Sequence, residues 1–272
     1  MHGASYVFLA AASLAAGAIN SVAGGGTVLT FPALLAAGVP PVTANATSTI
    51  ALVTGSLTSA YGYREEVGRS KRLMIWMIVP SVIGGTIGAL LVLHAGDAVL
   101  KKLVPWLILG ATVLFLAQEP ISRWLRATQE KEIKDAAEGR GHDPDNPEGK
   151  RLATVLFYQF FVAIYGGFFG AGIGILQLAA LGFLGLTNIH RMNAVKNVTS
   201  SAINIVASAM FILGGRVNWP IAVLMGVAAI AGGYGGAGVA RKIGQQRVRQ
   251  IIIGIGFAIA GLMFYRQMHG GM

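Results

Sequence analysis

The chain has 272 residues, of which 54% are hydrophobic and 12% charged, with a mean hydropathy of +0.63. Soluble domains carry about 25% charged residues, so this composition excludes an ordinary water-soluble domain. The formal net charge of +10 sits in short loops between apolar stretches, which fits a positive-inside membrane protein rather than a nucleic-acid binder, and the absence of cysteine excludes disulfides and thiolate metal sites.

In chain order, apolar stretches run over 5–37, 43–62, 72–95 and 98–118, then over 152–187, 192–213, 219–240 and 247–265. About 20 apolar residues span a bilayer core of roughly 30 Å. The first stretch, starting with no basic n-region at Met1–Ala18, runs on into further apolar sequence, so no cleaved signal peptide is expected. It is too long for one crossing and too short for two, and Gly24-Gly25-Gly26 interrupts it before Gly38-Val39-Pro40-Pro41. The fifth stretch repeats the anomaly with Gly166-Gly167, Gly170, Gly172 and Gly174, then Gly182 and Gly185. Non-helical backbone at membrane depth is tolerated only where protein or a water-filled cavity satisfies it. A broken or re-entrant helical hairpin is therefore expected at the head of each half, followed by three crossing helices. Between the halves, 119–151 is rich in charge and carries Pro144 and Pro147, which reads as a solvated linker with room for a short helix near Ile121–Ile133.

The halves are copies. With a constant offset of 148, Ala23, Gly24 and Gly26 recur as Ala171, Gly172 and Gly174, Asn45-Ala46 as Asn193-Ala194, and Gly84, Gly85 and Gly88 as Gly232, Gly233 and Gly236. Basic residues switch between equivalent loops: Arg64, Arg69, Lys71 and Arg72 face a lone Arg216, while Lys101 and Lys102 face Arg241, Lys242, Arg247 and Arg249. That swap predicts an all-α membrane protein of two inverted repeats, 1–118 and 152–272, with loop 63–71, linker 119–151 and loop 241–249 on the cytoplasmic side. A repeated, glycine-broken pair of hydrophobic segments points to a secondary transporter with its site between the halves.

The candidate substrate-binding residues follow from what an anion needs in place of its hydration shell. Gly24, Gly25, Gly26 and Thr27 in the first copy, with Gly172 and Gly174 in the second, can expose backbone N–H groups at a helix start. Asn45, Ser48 and Thr49, with Asn193 and Asn197, add side-chain donors near the start of the next helix. Lys196 adds a cation with no nearby carboxylate in sequence. Each has a plainer reading: close helix packing for the glycines, helix capping for Asn45 and Asn193, interhelical bonding for the hydroxyls, and snorkelling for Lys196. Gln177 and Asn204 read as packing or supporting groups. Trp76, Trp106, Trp124 and Trp219 read as interfacial anchors. No Asp or Glu falls within a span, which leaves a carboxylate proton relay without support. No metal cluster, nucleotide motif or nucleophile elbow is present, and no cofactor or catalytic residue is expected.

The stretch Ser21-Val-Ala-Gly-Gly-Gly-Thr-Val-Leu-Thr-Phe-Pro32 with Ala44-Asn-Ala-Thr-Ser-Thr49 resembles the TauE/SafE family. Gly167-Phe-Phe-Gly-Ala-Gly-Ile-Gly174 with Asn193-Ala-Val-Lys-Asn197 is similar to that family's second motif, with Ile173 at the middle glycine and Ala180 opposite Pro32. The resemblance implies a four-plus-four-helix exporter of sulfite or an organosulfonate such as sulfoacetate in the bacterial cytoplasmic membrane. Uptake of a sulfur oxyanion or another small anion is the alternative, and a membrane-embedded enzyme or assembly factor is a more distant one. The expected partners are that small anion and membrane lipid, with a homo-oligomer left open and no nucleic acid.

Overall fold

The computed structural model describes residues 3–22, 25–62, 71–138, 149–243 and 245–269. They form nine helices and, among the described residues, no strand: α1 (Gly3–Val22), α2 (Thr27–Ala36), α3 (Pro41–Gly62), α4 (Lys71–Ala137), α5 (Gly149–Phe168), α6 (Ile173–Phe183), α7 (Ile189–Leu213), α8 (Trp219–Ile243) and α9 (Gln245–Met268). Five are long and apolar enough to cross a membrane, in α1, α4, α5, α7 and α9. The 67-residue α4 far exceeds one bilayer, and non-helical backbone at Gly96 (φ 69°, ψ 175°) divides it into two arms.

Both expected interruptions are present. At 10 and 11 residues, α2 and α6 are about 15–17 Å long, roughly half a hydrocarbon core. The α2 turn folds back on its predecessor, since Gly26 packs on the Ala16 carbonyl and on Leu52 of α3. It ends where Gly38 N–H bonds Leu35 O and Val39 N–H bonds Leu34 O, each at 3.0 Å. Pro41 then opens α3, a position where its missing N–H costs nothing.

Equivalent helices have equivalent neighbours. α1 packs most extensively on α8, and its counterpart α5 packs on the first arm of α4, the counterpart of α8. Along α1, Ser13 meets Met225 and Gly17 meets Ala229, so the two helices run parallel. Along α5, Phe160 meets Gly84 and Ile164 meets Gly88, again parallel. The duplicated glycines are what permit this: a Cβ on Gly232 would strike the Leu14 carbonyl, and one on Gly88 the Ile164 carbonyl. α3 and α7, one from each half, pack against each other in the middle.

The exterior is apolar and the interior partly polar, the reverse of a water-soluble protein. Val7, Phe157, Val223 and Leu213 are exposed, whereas Asn45, Ser48, Gln159, Gln177 and Thr199 are buried. The four tryptophans are 46–62% exposed.

The polar stretch 119–151 begins as helix, because α4 continues unbroken to Ala137. Leu125 is buried against the α6 and α7 core, and Gln129 Nε2 donates to Met192 Sδ at 3.3 Å. Residues 139–148 and most of loop 63–71 lie outside the described residues. Two ion pairs tie loops that the charge bias puts on a common side: Asp97 with Arg216 at 3.9 Å, and Glu119 with Arg249.

Candidate functional site

Gly25 has φ +123°, a conformation that needs glycine, and its N–H donates to Asn20 Oδ1 at 3.1 Å. The Phe115 ring occupies the space a Cβ would take. In the second break Gly172 has φ +80° and faces Leu114. Both interruptions thus abut consecutive residues of the second arm of α4. A T-shaped pair, Phe31 of α2 on Phe169 of the second break, closes the arrangement with centroids 5.3 Å apart. Tyr165 Oη donates to Ala171 O at 2.7 Å and holds the second break shut across its own turn.

Polar side chains line these breaks unequally. Asn45 Nδ2 donates to Phe168 O at 2.9 Å, joining α3 of the first half to the second break. Its Oδ1 is buried with no partner among the described residues. Asn193, its counterpart, instead accepts from Lys196 Nζ at 3.0 Å. The Lys196 stem lies over the start of α6, where a Cβ on Gly174 would come within 3.2 Å of its Cδ. Among the described residues no carboxylate pairs with this ammonium. Nor does any backbone acceptor there take the N–H groups of Ala171, Gly172 or Gly174. The start of α6, with its helix-start dipole and three open N–H groups, and the Lys196 side chain therefore lie side by side at Gly172–Gly174.

Other candidates are engaged in the fold. Ser48 Oγ shares a 2.6 Å hydrogen bond with Thr30, and Thr49 Oγ1 donates to Asn45 O at 2.9 Å. Gln177 bridges α6 to α7, donating to Thr199 Oγ1 at 3.1 Å and accepting from Ser200 Oγ at 2.5 Å. Thr27 opens α2, half-buried, and Asn197 has no hydrogen-bond partner among the described residues. Gly24 lies outside the described residues.

The capping reading of Asn45 and Asn193 is corrected. Both lie a turn inside their helices, and Asn188 caps α7 by accepting from His190 N and Arg191 N. At α3 the Val42 N–H donates to Asp97 Oδ1 at 2.8 Å, a carboxylate at a positive helix end. The N–H groups opening α3 and α7 are thus partly spent on the protein itself. Sequence reasoning missed Asp97 and Tyr165 because each acts through distant backbone. The described residues hold no group of three or more His, Asp or Glu able to bind a metal.

Long apolar helices, an apolar exterior and two interrupted helices meeting inside define a multi-pass helical membrane protein. Residues 9–263 match the family model described as "Sulfite exporter TauE/SafE", and the chain belongs to that family. Curated relatives include a "Probable membrane transporter protein" of Haemophilus influenzae, 28% identical over 92% of this chain and 90% of its own length. The "Probable membrane transporter protein YfcA" of Escherichia coli K12 is 28% identical over 95% and 88%, and "ORF9" of Sinorhizobium sp, also a probable membrane transporter, over 93% and 90%. No solved structure matches the chain. With this family and these helices, the protein is a multi-pass component of the bacterial cytoplasmic membrane.

Proposed function

We propose that the protein exports a small sulfur-containing anion, sulfite or an organosulfonate such as sulfoacetate, by alternating access at a site between two inverted repeats. The observation that carries this reading is the Lys196 side chain lying against Gly174 at the start of α6, where no described backbone acceptor takes the N–H groups of Ala171, Gly172 and Gly174. Sulfite or a sulfonate group has three oxygens to satisfy, and this is a set of donors with no competing carboxylate among the described residues. The exchange of equivalent helix pairs between the halves supports a two-fold relation, and the loop charges support its inversion. Export suits an anion in a cell whose interior is negative, since an outgoing unit charge gains about 2.3 kcal/mol per 100 mV.

Purified protein is screened by thermal shift with sulfite, sulfoacetate, taurine, thiosulfate and sulfate, then reconstituted in liposomes under an imposed potential. A sulfonate-type anion stabilises the protein, and Lys196→Ala weakens it roughly ten-fold or more, the worth of one charge-assisted hydrogen bond. Equal binding by Lys196→Ala refutes the site. Flux indifferent to the potential refutes electrogenic export.

A further inference from the structure

The helix carrying Lys196 is polar well beyond the site. On α7, Asn193, Asn197, Ser201, Asn204 and Ser208 follow one another at steps of four or three residues, which puts them on one face. From first to last the face is about 22 Å long, most of a hydrocarbon core, whereas a ligand site alone needs only a turn or two. Ser201 and Ser208 are 4% and 7% exposed, so the face is turned into the protein. Ile205 and Ile212, one turn beyond each serine, border it and are 46% and 44% exposed, and Ala209, further round the helix, is exposed.

The two serines also break a rule that the rest of the protein keeps. Elsewhere among the described residues the buried hydroxyls have partners: Thr30, Ser81, Thr112 and Thr199 donate to the carbonyl four residues back, Ser13 donates to Met225 O, Ser48 pairs with Thr30, and Thr47 accepts from the Asn218 N–H. The hydroxyls of Ser201 and Ser208 are buried with no partner among the described residues. A buried, unmet hydroxyl costs about 1–3 kcal/mol, so two on one face call for an occupant. Beside this face Ala207 and Phe211 pack with Val42 and Ala46 of α3. In the repeat α3 is the counterpart of α7, and its Asn45 and Thr49 correspond to Asn193 and Asn197.

We infer that this face of α7, against α3, is one wall of the path along which the anion crosses, with Lys196 marking its capture end and Ser201 and Ser208 serving as relay donors. The inference rests on the transport reading above and adds the route. Neutral donors without carboxylates suit a path, where each contact must hold an anion weakly enough to release it.

The protein has no cysteine, so single cysteines report without background. Ser201→Cys, Ser208→Cys and, as a second position within the face, Asn197→Cys are compared in proteoliposomes with Ala209→Cys, an exposed position away from the face. The probe is an anionic, membrane-impermeant methanethiosulfonate, with sulfoacetate as competitor because sulfite cleaves the disulfide formed. The path positions are expected to label, and sulfoacetate at ten times its Kd should slow labelling about ten-fold. Ala209→Cys should stay unlabelled. Silence at all three path positions in folded protein overturns the inference. So does labelling that sulfoacetate leaves unchanged while it still raises the unfolding temperature, an outcome that spares the site at Lys196. If sulfoacetate stabilises no variant, the ligand reading fails, and selective labelling of the path positions still supports a wet, anion-accessible route.

Discussion

Asn45 and Phe168, 123 positions apart, are joined by a 2.9 Å hydrogen bond in which the side-chain amide donates to the main-chain carbonyl. The bond ties the helix after the first break to the last turn before the second. Movement at either interruption is therefore felt at the other.

Replacing this donor tests the tie. Asn45→Ala should lower stability by about 1 kcal/mol, the net worth of one buried neutral hydrogen bond. Asn45→Asp should cost more, since it removes the donor and buries a charge beside a carbonyl. Thermal unfolding in detergent gives the order, and equal melting of wild type and Asn45→Ala would show that the bond does not matter.

The same substitution at two glycines of α8 should have opposite signs. At Gly232 an added methyl meets the Leu14 backbone carbonyl, which cannot move aside, so Gly232→Ala should cost about 1–3 kcal/mol. At Gly226 the nearest atom is 3.8 Å away, so Gly226→Ala should be neutral or stabilising by up to about 1 kcal/mol through helix propensity.

Around the second break, stability and binding should separate. Gly172→Ala forces an alanine to φ +80° and should cost about 1–2 kcal/mol. Gly174→Ala only displaces the flexible Lys196 stem, so it should unfold nearly as the wild type does while binding sulfoacetate more weakly. Calorimetry and thermal shift on the two variants check the contrast.

Glu119 meets two arginines of unequal weight. Arg123 is 76% exposed and one turn away, whereas Arg249 is 16% exposed and reaches across from α9. Arg249→Ala should depress the unfolding temperature more than Arg123→Ala, and added salt should narrow the Arg123 effect first.

Much of this was legible beforehand because glycine runs at membrane depth have few explanations. Gly25 and Gly172 mark the two breaks, and Gly84, Gly88 and Gly232 mark close helix crossings. What was not legible depends on atoms far apart in sequence. Asp97 is an unremarkable loop acid until it meets the Val42 N–H, and the Asn pair looks like helix caps until Asn188 is seen in that role. Linker 119–151 reads as solvated with room for a short helix near Ile121–Ile133; a helix does run through that stretch as the end of α4, but the composition did not show that Leu125 would be buried. The unequal duties of Asn45 and Asn193 depend on Lys196, which has Ser48 at the matching place in the first half.

The crossed pairing of α1 with α8 also bears on how the chain is made. Ser13 waits for Met225, which is translated 212 residues later, so the first helix must enter the bilayer and remain there without its main neighbour until synthesis is nearly finished. Neither half is then a foldable fragment. A polypeptide stopped after α4 should be cleared by membrane proteases, and two separately expressed halves should survive only when made together.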